Sequence, residues 1–160
     1  MKRVYVSLGS NIEPDYYLCK CLSHLRARFG AVDCSTVYRT QAVGFVGDDF
    51  LNLVVSFTTH LPSNELIAIL KQLELILGRK RGTETFIART LDADLLLYEG
   101  ENIIHHDIER YPFVLYPLLE LAPSLILPTR QQPLSLLAQT LQLSREGMVE
   151  YKLNCSLTKV

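Results

Sequence analysis

The sequence predicts an α+β protein built on a mainly antiparallel sheet, and three observations lead to this prediction. Patterns typical of strands and helices alternate in the order β-α-β-β-α-β over the first hundred residues. Each of the two helical stretches begins at a proline and ends at a glycine, as helices commonly do. The chain has 160 residues, of which 48% are hydrophobic, so one domain over 1–160 can bury a core.

The first predicted elements are a strand, a helix and two further strands. The first strand covers 3–8 and is followed by Gly9-Ser10-Asn11, which reads as a turn. A helix is predicted over 14–29 because its apolar residues recur at helical spacing, at Leu18, Leu22, Leu25 and Phe29. The next strands are predicted at 31–39 and 50–60, and the loop between them contains two glycines and two aspartates.

The second half of the plan begins with a helix that starts at Pro62 and stops at Gly78. Its apolar face contains Leu66, Ile69, Leu70, Leu73, Ile76 and Leu77. A basic loop, a strand and two helices follow, at 79–88, 90–98, 113–121 and near 133–142. This order predicts the ferredoxin-like split βαβ fold, with helices on one face of the sheet and additional C-terminal helices.

The predicted strand at 90–98 contains two carboxylates, Asp92 and Asp94. Residues at i and i+2 of a strand point to one face, and aspartate is depleted in strands, so the pair requires an explanation. Mg²⁺ provides one, since it is usually held by one or two carboxylates together with substrate phosphates. The nearby basic residues that could hold a polyphosphate are Arg79, Lys80, Arg81 and Arg89. The alternative is an edge strand whose carboxylates pair with neighbouring arginines.

Composition excludes several classes of protein. The net charge of −1 argues against a general nucleic-acid or membrane-surface binder, and no apolar run reaches transmembrane length. The apolar stretch near the N-terminus is too short for a signal peptide, so we expect a cytoplasmic protein. Four cysteines, without a C-x-x-C pair, indicate no zinc site and are expected to be reduced: Cys19, Cys21, Cys34 and Cys155.

Six short segments together suggest a family. In chain order they are Leu8-Gly9-Ser10-Asn11, Tyr38-Arg39-Thr40, Phe50-Leu51-Asn52, Glu74-x-x-x-Gly78-Arg79-x-Arg81, Arg89-Thr90-Leu91-Asp92-x-Asp94 and Phe113-Val114-Leu115-Tyr116-Pro117-Leu118-x-Glu120-x-Ala122-Pro123. With these segments the chain resembles the 6-hydroxymethyl-7,8-dihydropterin pyrophosphokinases of folate biosynthesis. The resemblance implies transfer of pyrophosphate from ATP to the hydroxymethyl group of a reduced pterin, with release of AMP.

The resemblance also implies roles for individual residues. Asp92 and Asp94 correspond to the ligands of two magnesium ions that bind with ATP. The residues implied in ATP binding are Arg79, Arg81, Arg89 and His105, and the three arginines are also implied in catalysis. Those implied in pterin binding are Thr40, Gly44, Phe50, Asn52 and Phe113, with the two phenylalanines enclosing the ring. The implied partners are ATP and a reduced pterin, bound by a monomer without nucleic acid or membrane.

The chain departs from the family pattern mainly on the ATP side. Phe86, Ile87 and Ala88 stand where the family usually has Trp-Gly-Pro. The segment between the aspartates and Phe113 is shorter than usual, and the arginine expected two residues before Phe113 is Tyr111, with Arg110 one position earlier. An alternative is therefore a divergent paralogue that binds a pterin, or that phosphorylates a different heterocycle, with weak or no pyrophosphokinase activity.

Overall fold

The computed structural model describes residues 1–78, 90–128 and 130–156, and these ranges contain six strands and five helices. The strands are β1 (Lys2–Ser10), β2 (Asp33–Cys34), β3 (Val37–Thr40), β4 (Phe50–Thr59), β5 (Asp92–Tyr98) and β6 (Val149–Tyr151). The helices are α1 (Pro14–Phe29), α2 (Ser63–Ile76), α3 (Asp107–Arg110), α4 (Pro112–Leu121) and α5 (Leu134–Leu141).

The strands form one antiparallel sheet in the order β5-β1-β4-β3-β6, with β2 also paired to β4. The strands β1 and β4 pair along their whole length, from Lys2 opposite Thr59 to Ser10 opposite Leu51. Because β4 lies between β1 and β3, the first helix connects parallel strands that are not neighbours. This is the split βαβ arrangement, so the predicted α+β ferredoxin-like fold is confirmed.

The helices α1 and α2 cover one face of the sheet. Pro14 occupies the first turn of α1, and Gly30 ends the helix at a φ of 84°, a backbone conformation that favours glycine. The buried side chains between these helices and the sheet include Val4, Val6, Leu8, Leu18, Leu22, Leu25, Leu53, Phe57, Leu66 and Leu70. Their alternation along β1 leaves the intervening residues, Ser7 and Gly9, on the opposite face.

The opposite face is covered by α4 and α5, so the expectation of helices on one face holds only for α1 and α2. Strands β4 and β5 bury apolar residues on both faces, which provides a second surface for packing. The second core contains Val54, Leu96, Leu97, Ile108, Val114, Leu115, Leu118, Leu134 and Leu137. No helix in the described ranges is long and apolar enough to cross a membrane.

Two further parts of the prediction differ from the structure. The strand expected at 31–39 is divided into β2 and β3 around Ser35, whose hydroxyl accepts a hydrogen bond from the Val54 N–H at 2.9 Å. The prediction that the cysteines are all reduced is wrong, because Cys19 and Cys155 form a disulfide between α1 and the C-terminal segment. That segment, with β6, packs back along the molecule, and a pairing across 136 residues leaves no local signal in the sequence.

Candidate active site

A cleft of about 350 Å³ lies on the sheet face opposite α1 and α2, beside the start of α4. It is lined by residues of four strands, of α3 and α4 with the residue just before each helix, and of the loop after β3: Ser7, Gly9, Thr40, Gln41, Val43, Phe45, Phe50, Asn52, Asp92, Asp94, His106, Asp107, Arg110, Tyr111, Phe113 and Val114. In the sheet, β1 lies between the carboxylates of Asp92 and Asp94 on β5 and the Phe50 ring on β4, so the β5 side is called the acidic end and the β4 side the aromatic end. The cleft can therefore hold a ligand that combines a flat apolar ring with a group requiring a cation.

The acidic end begins at β5, where Asp92 and Asp94 both face the cleft and Ala93 between them faces the core. The ammonium group of Lys71, on α2, lies 3.1 Å from Asp94 Oδ1 and 3.1 Å from Glu74 Oε2. Burial lowers the pKa of Lys71, but the carboxylates of Asp94 and Glu74 outweigh burial and hold that pKa above its usual value. Lys71 is therefore a cation at the pH of the cell, and of the two cleft carboxylates on β5 it binds that of Asp94.

A third carboxylate, Asp107, also lines the acidic end. Burial raises its pKa above the usual value, and the nearby Asp94 and Asp92 carboxylates add to the rise, while His105 and His106 oppose it. The Asp107 Oδ1 atom lies 3.1 Å from His106 Nε2, and the Asp107 N–H donates to His105 Nδ1 at 3.2 Å. The Lys71 ammonium offsets these three carboxylates only in part, so a further cation would be stabilised at this end of the cleft.

Gly9 connects the acidic end to the middle of the cleft. It lies opposite Asp92 on β5 and opposite Asn52 on β4, and Asn52 in turn lies opposite Tyr38 on β3. Asn52 is buried, and its Nδ2 donates to Thr40 Oγ1 at 2.8 Å. A Cβ atom on Gly9 would lie 3.0 Å from Asn52 Oδ1. Because glycine has no Cβ, the amide group of Asn52 can occupy this position in the cleft without a close contact.

Contacts from the second half of the chain hold β3 beside the cleft. The Tyr38 hydroxyl donates to Glu120 Oε2 at 2.8 Å, and Glu120 Oε1 accepts the Thr36 N–H at 3.0 Å. The Arg145 guanidinium lies over the Tyr116 ring, with Cζ 4.6 Å from its centroid, and donates to the Tyr38 hydroxyl at 3.2 Å. These contacts tie β3, and with it Thr40, to α4 and to the segment before β6.

Aromatic side chains form the other end of the cleft. Phe50, at the start of β4, meets Phe45 edge to face, with ring centroids 6.3 Å apart. Phe113, in the first turn of α4, stacks on Tyr111 at 5.0 Å. All four rings line the cleft and are partly exposed. Partly exposed aromatic rings in a concave site are suited to stacking on a flat ligand.

The comparison with known proteins decides the family. The sequence matches the profile of 7,8-dihydro-6-hydroxymethylpterin-pyrophosphokinase (HPPK) over residues 5–123, well over half of the chain. The chain belongs to this family. A protein of Aquifex aeolicus is 35% identical over 84% of this chain and 89% of its own length. A protein of Pseudomonas aeruginosa is 36% identical over 86% and 91%, and one of Haemophilus influenzae is 33% identical over 82% and 88%. All three are named 2-amino-4-hydroxy-6-hydroxymethyldihydropteridine pyrophosphokinase.

The structure brings most of the predicted HPPK site residues into this one cleft: Thr40, Phe50, Asn52, Asp92, Asp94 and Phe113. Gly44 has a φ of 84° and lies between two residues that line the cleft, Val43 and Phe45. His105 is next to the lining residue His106, and the two rings stack at 4.5 Å. The predicted ATP-binding residues Arg79, Arg81 and Arg89 lie outside the described residues, as do Phe86, Ile87 and Ala88.

Sequence reasoning did not assign to the site several residues that line the cleft, among them Phe45, His106, Asp107 and Tyr111, nor Lys71, which contacts Asp94. Arg110 stands out in the sequence as a displaced arginine, and the structure places it in the cleft with Cζ 5.7 Å from the Tyr111 ring centroid. The charged run from His105 to Arg110 was an available signal, because it closely follows the strand with the aspartates. Lys71 gave no signal, since a lysine on a helix commonly faces solvent.

Proposed function

We propose that the protein transfers the terminal pyrophosphate of ATP to the hydroxymethyl group of 6-hydroxymethyl-7,8-dihydropterin and releases AMP, a step of folate biosynthesis. One observation carries this proposal: in a chain of the HPPK family, a carboxylate pair on β5 and a set of partly exposed aromatic rings line the same cleft. The pterin hydroxyl oxygen forms a bond to the β-phosphorus of ATP and gives up its proton to solvent. The bond from that phosphorus to the oxygen of the α-phosphate breaks, and its electron pair leaves with AMP.

Asp92 and Asp94 are the proposed ligands of magnesium. The donor set fits this ion, since the acidic end offers carboxylate oxygens and Mg²⁺ is a hard cation that prefers oxygen. Magnesium in this position supplies neutralisation of the charge on the phosphate oxygens. Two carboxylates alone bind magnesium weakly, so we expect the ions, two in number, to bind together with ATP.

The proposed ATP ligands are His105 and three arginines, Arg79, Arg81 and Arg89. The planar forks of arginine donate two hydrogen bonds to adjacent phosphate oxygens and remain charged at every physiological pH. His105 Nδ1 lies 3.6 Å from Asp107 Oδ2, a carboxylate that lines the cleft, and from there the imidazole could contact a phosphate of ATP. The arginines are the proposed catalytic groups because they can stabilise charge that develops during transfer.

The proposed pterin site lies at the aromatic end, with the ring between Phe50 and Phe113. Asn52 reads the polar edge of the ring, since an amide offers both a donor and an acceptor. The 2.8 Å bond from Asn52 Nδ2 to Thr40 supports this role by fixing the amide with its carbonyl oxygen directed towards Gly9. Thr40 and Gly44 contribute backbone near the ring from the end of β3 and the following loop.

The deciding experiment measures AMP release from Mg-ATP with and without 6-hydroxymethyl-7,8-dihydropterin. The wild-type protein should release AMP only when the pterin is present, and Asp94→Asn should reduce the rate by orders of magnitude while leaving pterin affinity largely intact. Asp33→Asn is the matched control, because Asp33 is an exposed aspartate on β2 that pairs with Arg3 at 3.5 Å. Pterin binding without AMP release would favour the divergent paralogue, and near-normal turnover of Asp94→Asn would contradict the metal assignment.

The proposal includes a monomeric enzyme that works in the cytoplasm as one domain over 1–160. Size-exclusion chromatography with light scattering tests the monomer, which should have the mass of one chain, 18.2 kDa. A stable dimer at micromolar concentration would contradict it.

A further inference from the structure

The Lys71 side chain links α2 to the carboxylate strand. Its ammonium group contacts three acceptors: Asp94 Oδ1 at 3.1 Å, Glu74 Oε2 at 3.1 Å and the Ala93 carbonyl at 3.0 Å. Three acceptors match the three donors of an ammonium group. The side chain of Lys71 is 45% exposed and that of Asp94 is 27% exposed, so the contact lies at the rim of the cleft, where solvent and ligands reach it.

The other partner of Lys71 makes this arrangement rigid. The Glu74 side chain is only 5% exposed, and its Oε2 atom also accepts the Ala93 N–H at 2.7 Å. Glu74 and Lys71 therefore bind the donor and the acceptor of a single residue of β5, Ala93. The ammonium group is held by backbone and by a buried carboxylate, so its position beside Asp94 does not depend on Asp94 alone.

We propose that Lys71 is a positioning residue that serves as the resident counter-ion of the carboxylate pair. It orients Asp94 and keeps the affinity of the cleft for divalent cations low until nucleotide phosphates arrive. This inference rests on the proposed function, since it assumes that Asp92 and Asp94 bind the metal that accompanies ATP.

The charges around Asp94 change when ATP binds. A divalent ion bound to Asp94 would lie on the order of 5 Å from the Lys71 ammonium, because carboxylate–magnesium bonds are about 2.1 Å. Repulsion at this distance, screened by water and salt, weakens cation binding about tenfold. The phosphates of ATP bring negative charge to the same place and offset the repulsion. Lys71 thereby couples metal binding to nucleotide binding.

The test measures Mn²⁺ binding by electron paramagnetic resonance, with and without a non-hydrolysable ATP analogue. In Lys71→Gln a neutral amide can still donate hydrogen bonds to Glu74 and Ala93, so the charge is removed with the least loss of structure. Without nucleotide, Lys71→Gln should bind Mn²⁺ about tenfold more tightly than the wild type. The factor by which the ATP analogue strengthens Mn²⁺ binding should be smaller in Lys71→Gln, and Lys71→Arg, which keeps the charge, should resemble the wild type.

Lys20→Met is the matched control, because Lys20 is a lysine of α1 whose ammonium lies over the Tyr16 ring at 5.7 Å. It should bind Mn²⁺ as the wild type does. Thermal unfolding gives a second readout, in which Mn²⁺ should raise the midpoint of Lys71→Gln more than that of the wild type. This readout applies even if Lys71→Gln is less stable, since only the shift caused by Mn²⁺ is compared.

Unchanged or weaker Mn²⁺ binding by Lys71→Gln would overturn the inference and leave Lys71 a purely structural tether between α2 and β5. An equal gain in Lys20→Met would also overturn it, since the effect would then be one of net charge. The proposed function fails in a different way: the wild type would bind no Mn²⁺ with the ATP analogue present, or Asp92→Asn and Asp94→Asn would bind it as well as the wild type.

Discussion

Replacement of Gly9 by alanine should damage pterin binding while sparing ATP binding. The three atoms nearest to a Cβ on Gly9 all belong to β4: Asn52 Oδ1 at 3.0 Å, the Leu51 carbonyl oxygen at 3.8 Å and Phe50 Cδ1 at 3.8 Å. Asp92, the partner of Gly9 on the other side, is not among them. The φ angle of Gly9 lies outside the left-handed region, so the effect of alanine comes from space alone.

The magnitude follows from what Asn52 would lose. The side chain must move by a few tenths of an ångström, and it is held by the 2.8 Å bond to Thr40 Oγ1. Weakening this buried hydrogen bond costs about 1–2 kcal/mol of the free energy of unfolding. For a domain of this size the thermal midpoint should fall by roughly 2–8 °C. A displaced amide should weaken pterin binding about tenfold or more, because the polar edge of the ring is then poorly paired.

The assay is a double-mutant cycle with Asn52→Ala, which removes the atom that the new methyl group meets. Urea unfolding gives the stability of Gly9→Ala, Asn52→Ala and the double variant, and calorimetry gives their affinities for pterin and for a non-hydrolysable ATP analogue. The double variant should be about as stable as Asn52→Ala alone, a coupling of about 1 kcal/mol. Its pterin affinity should stay low, since Asn52 is absent.

Two results would refute this reasoning. If the losses of unfolding free energy in Gly9→Ala and Asn52→Ala sum to that of the double variant within about 0.5 kcal/mol, Gly9 and Asn52 do not compete for space. A Gly9→Ala variant that loses affinity for the ATP analogue as strongly as for the pterin would place Gly9 in a different role, through its neighbour Asp92.

Three further predictions concern the rest of the molecule. Phe113→Ala should lose roughly 1–3 kcal/mol of pterin binding, by analogy with base–aromatic stacking. Arg145→Met should lower the free energy of unfolding by about 1 kcal/mol, because the guanidinium stacks on Tyr116 and donates to Tyr38. Cys34, which is exposed, should react with a maleimide in the native protein. Cys21 should not, because burial and, secondarily, Glu74 raise its pKa to about 12.

Each of these has its own control. Phe29→Leu should keep pterin affinity, because Phe29 stacks on Phe57 in the core between α1 and the sheet, away from the cleft. Lys152→Met, an exposed cation of the same C-terminal segment, should not change the urea midpoint as Arg145→Met does. Mass spectrometry counts the labels: one is expected before reduction, and reductant should release the two disulfide cysteines. Fast labelling of Cys21 would contradict the burial argument.

The sequence was most predictive where local chemistry and global packing agree. The helix α1 has the predicted bounds, 14–29, because Pro14 and Gly30 are boundary residues and the apolar stripe between them packs on the sheet. The shared face of Asp92 and Asp94 followed from the period of a strand. The sequence left open the alternative of an edge strand whose carboxylates pair with arginines. The strand β5 does lie at the edge of the sheet, and among the described residues the cation beside Asp94 is a lysine of α2.

The remaining features depend on contacts between distant parts of the chain. The helix α3 and the strand β6 contain four and three residues, too few for a periodic pattern. The helices α4 and α5 can lie on the second face because β4 and β5 are apolar on both sides. In the sequence such a strand is a continuous apolar run, and periodicity alone does not distinguish this run from a buried helix. The Cys19–Cys155 disulfide depends on the return of the C-terminal segment to α1, where Asp15 accepts the Tyr151 hydroxyl at 2.7 Å.

Gly9 lies between Asn52 and Asp92, so the spacing of the strands fixes the distance between these two residues. Two inter-strand steps, roughly 10 Å, separate the amide that faces the proposed ring site from the carboxylate that faces the proposed phosphates. Backbone hydrogen bonds set this length, so side-chain substitutions at either end can change which ring or which ion is held without changing the span. The pairing of β1 with β5 is irregular at Tyr5 and Val6, away from Gly9, so the strand pairing at the site is regular. A substrate with a longer or shorter distance between its ring edge and its hydroxyl would not fit the ring site and the phosphate site at the same time.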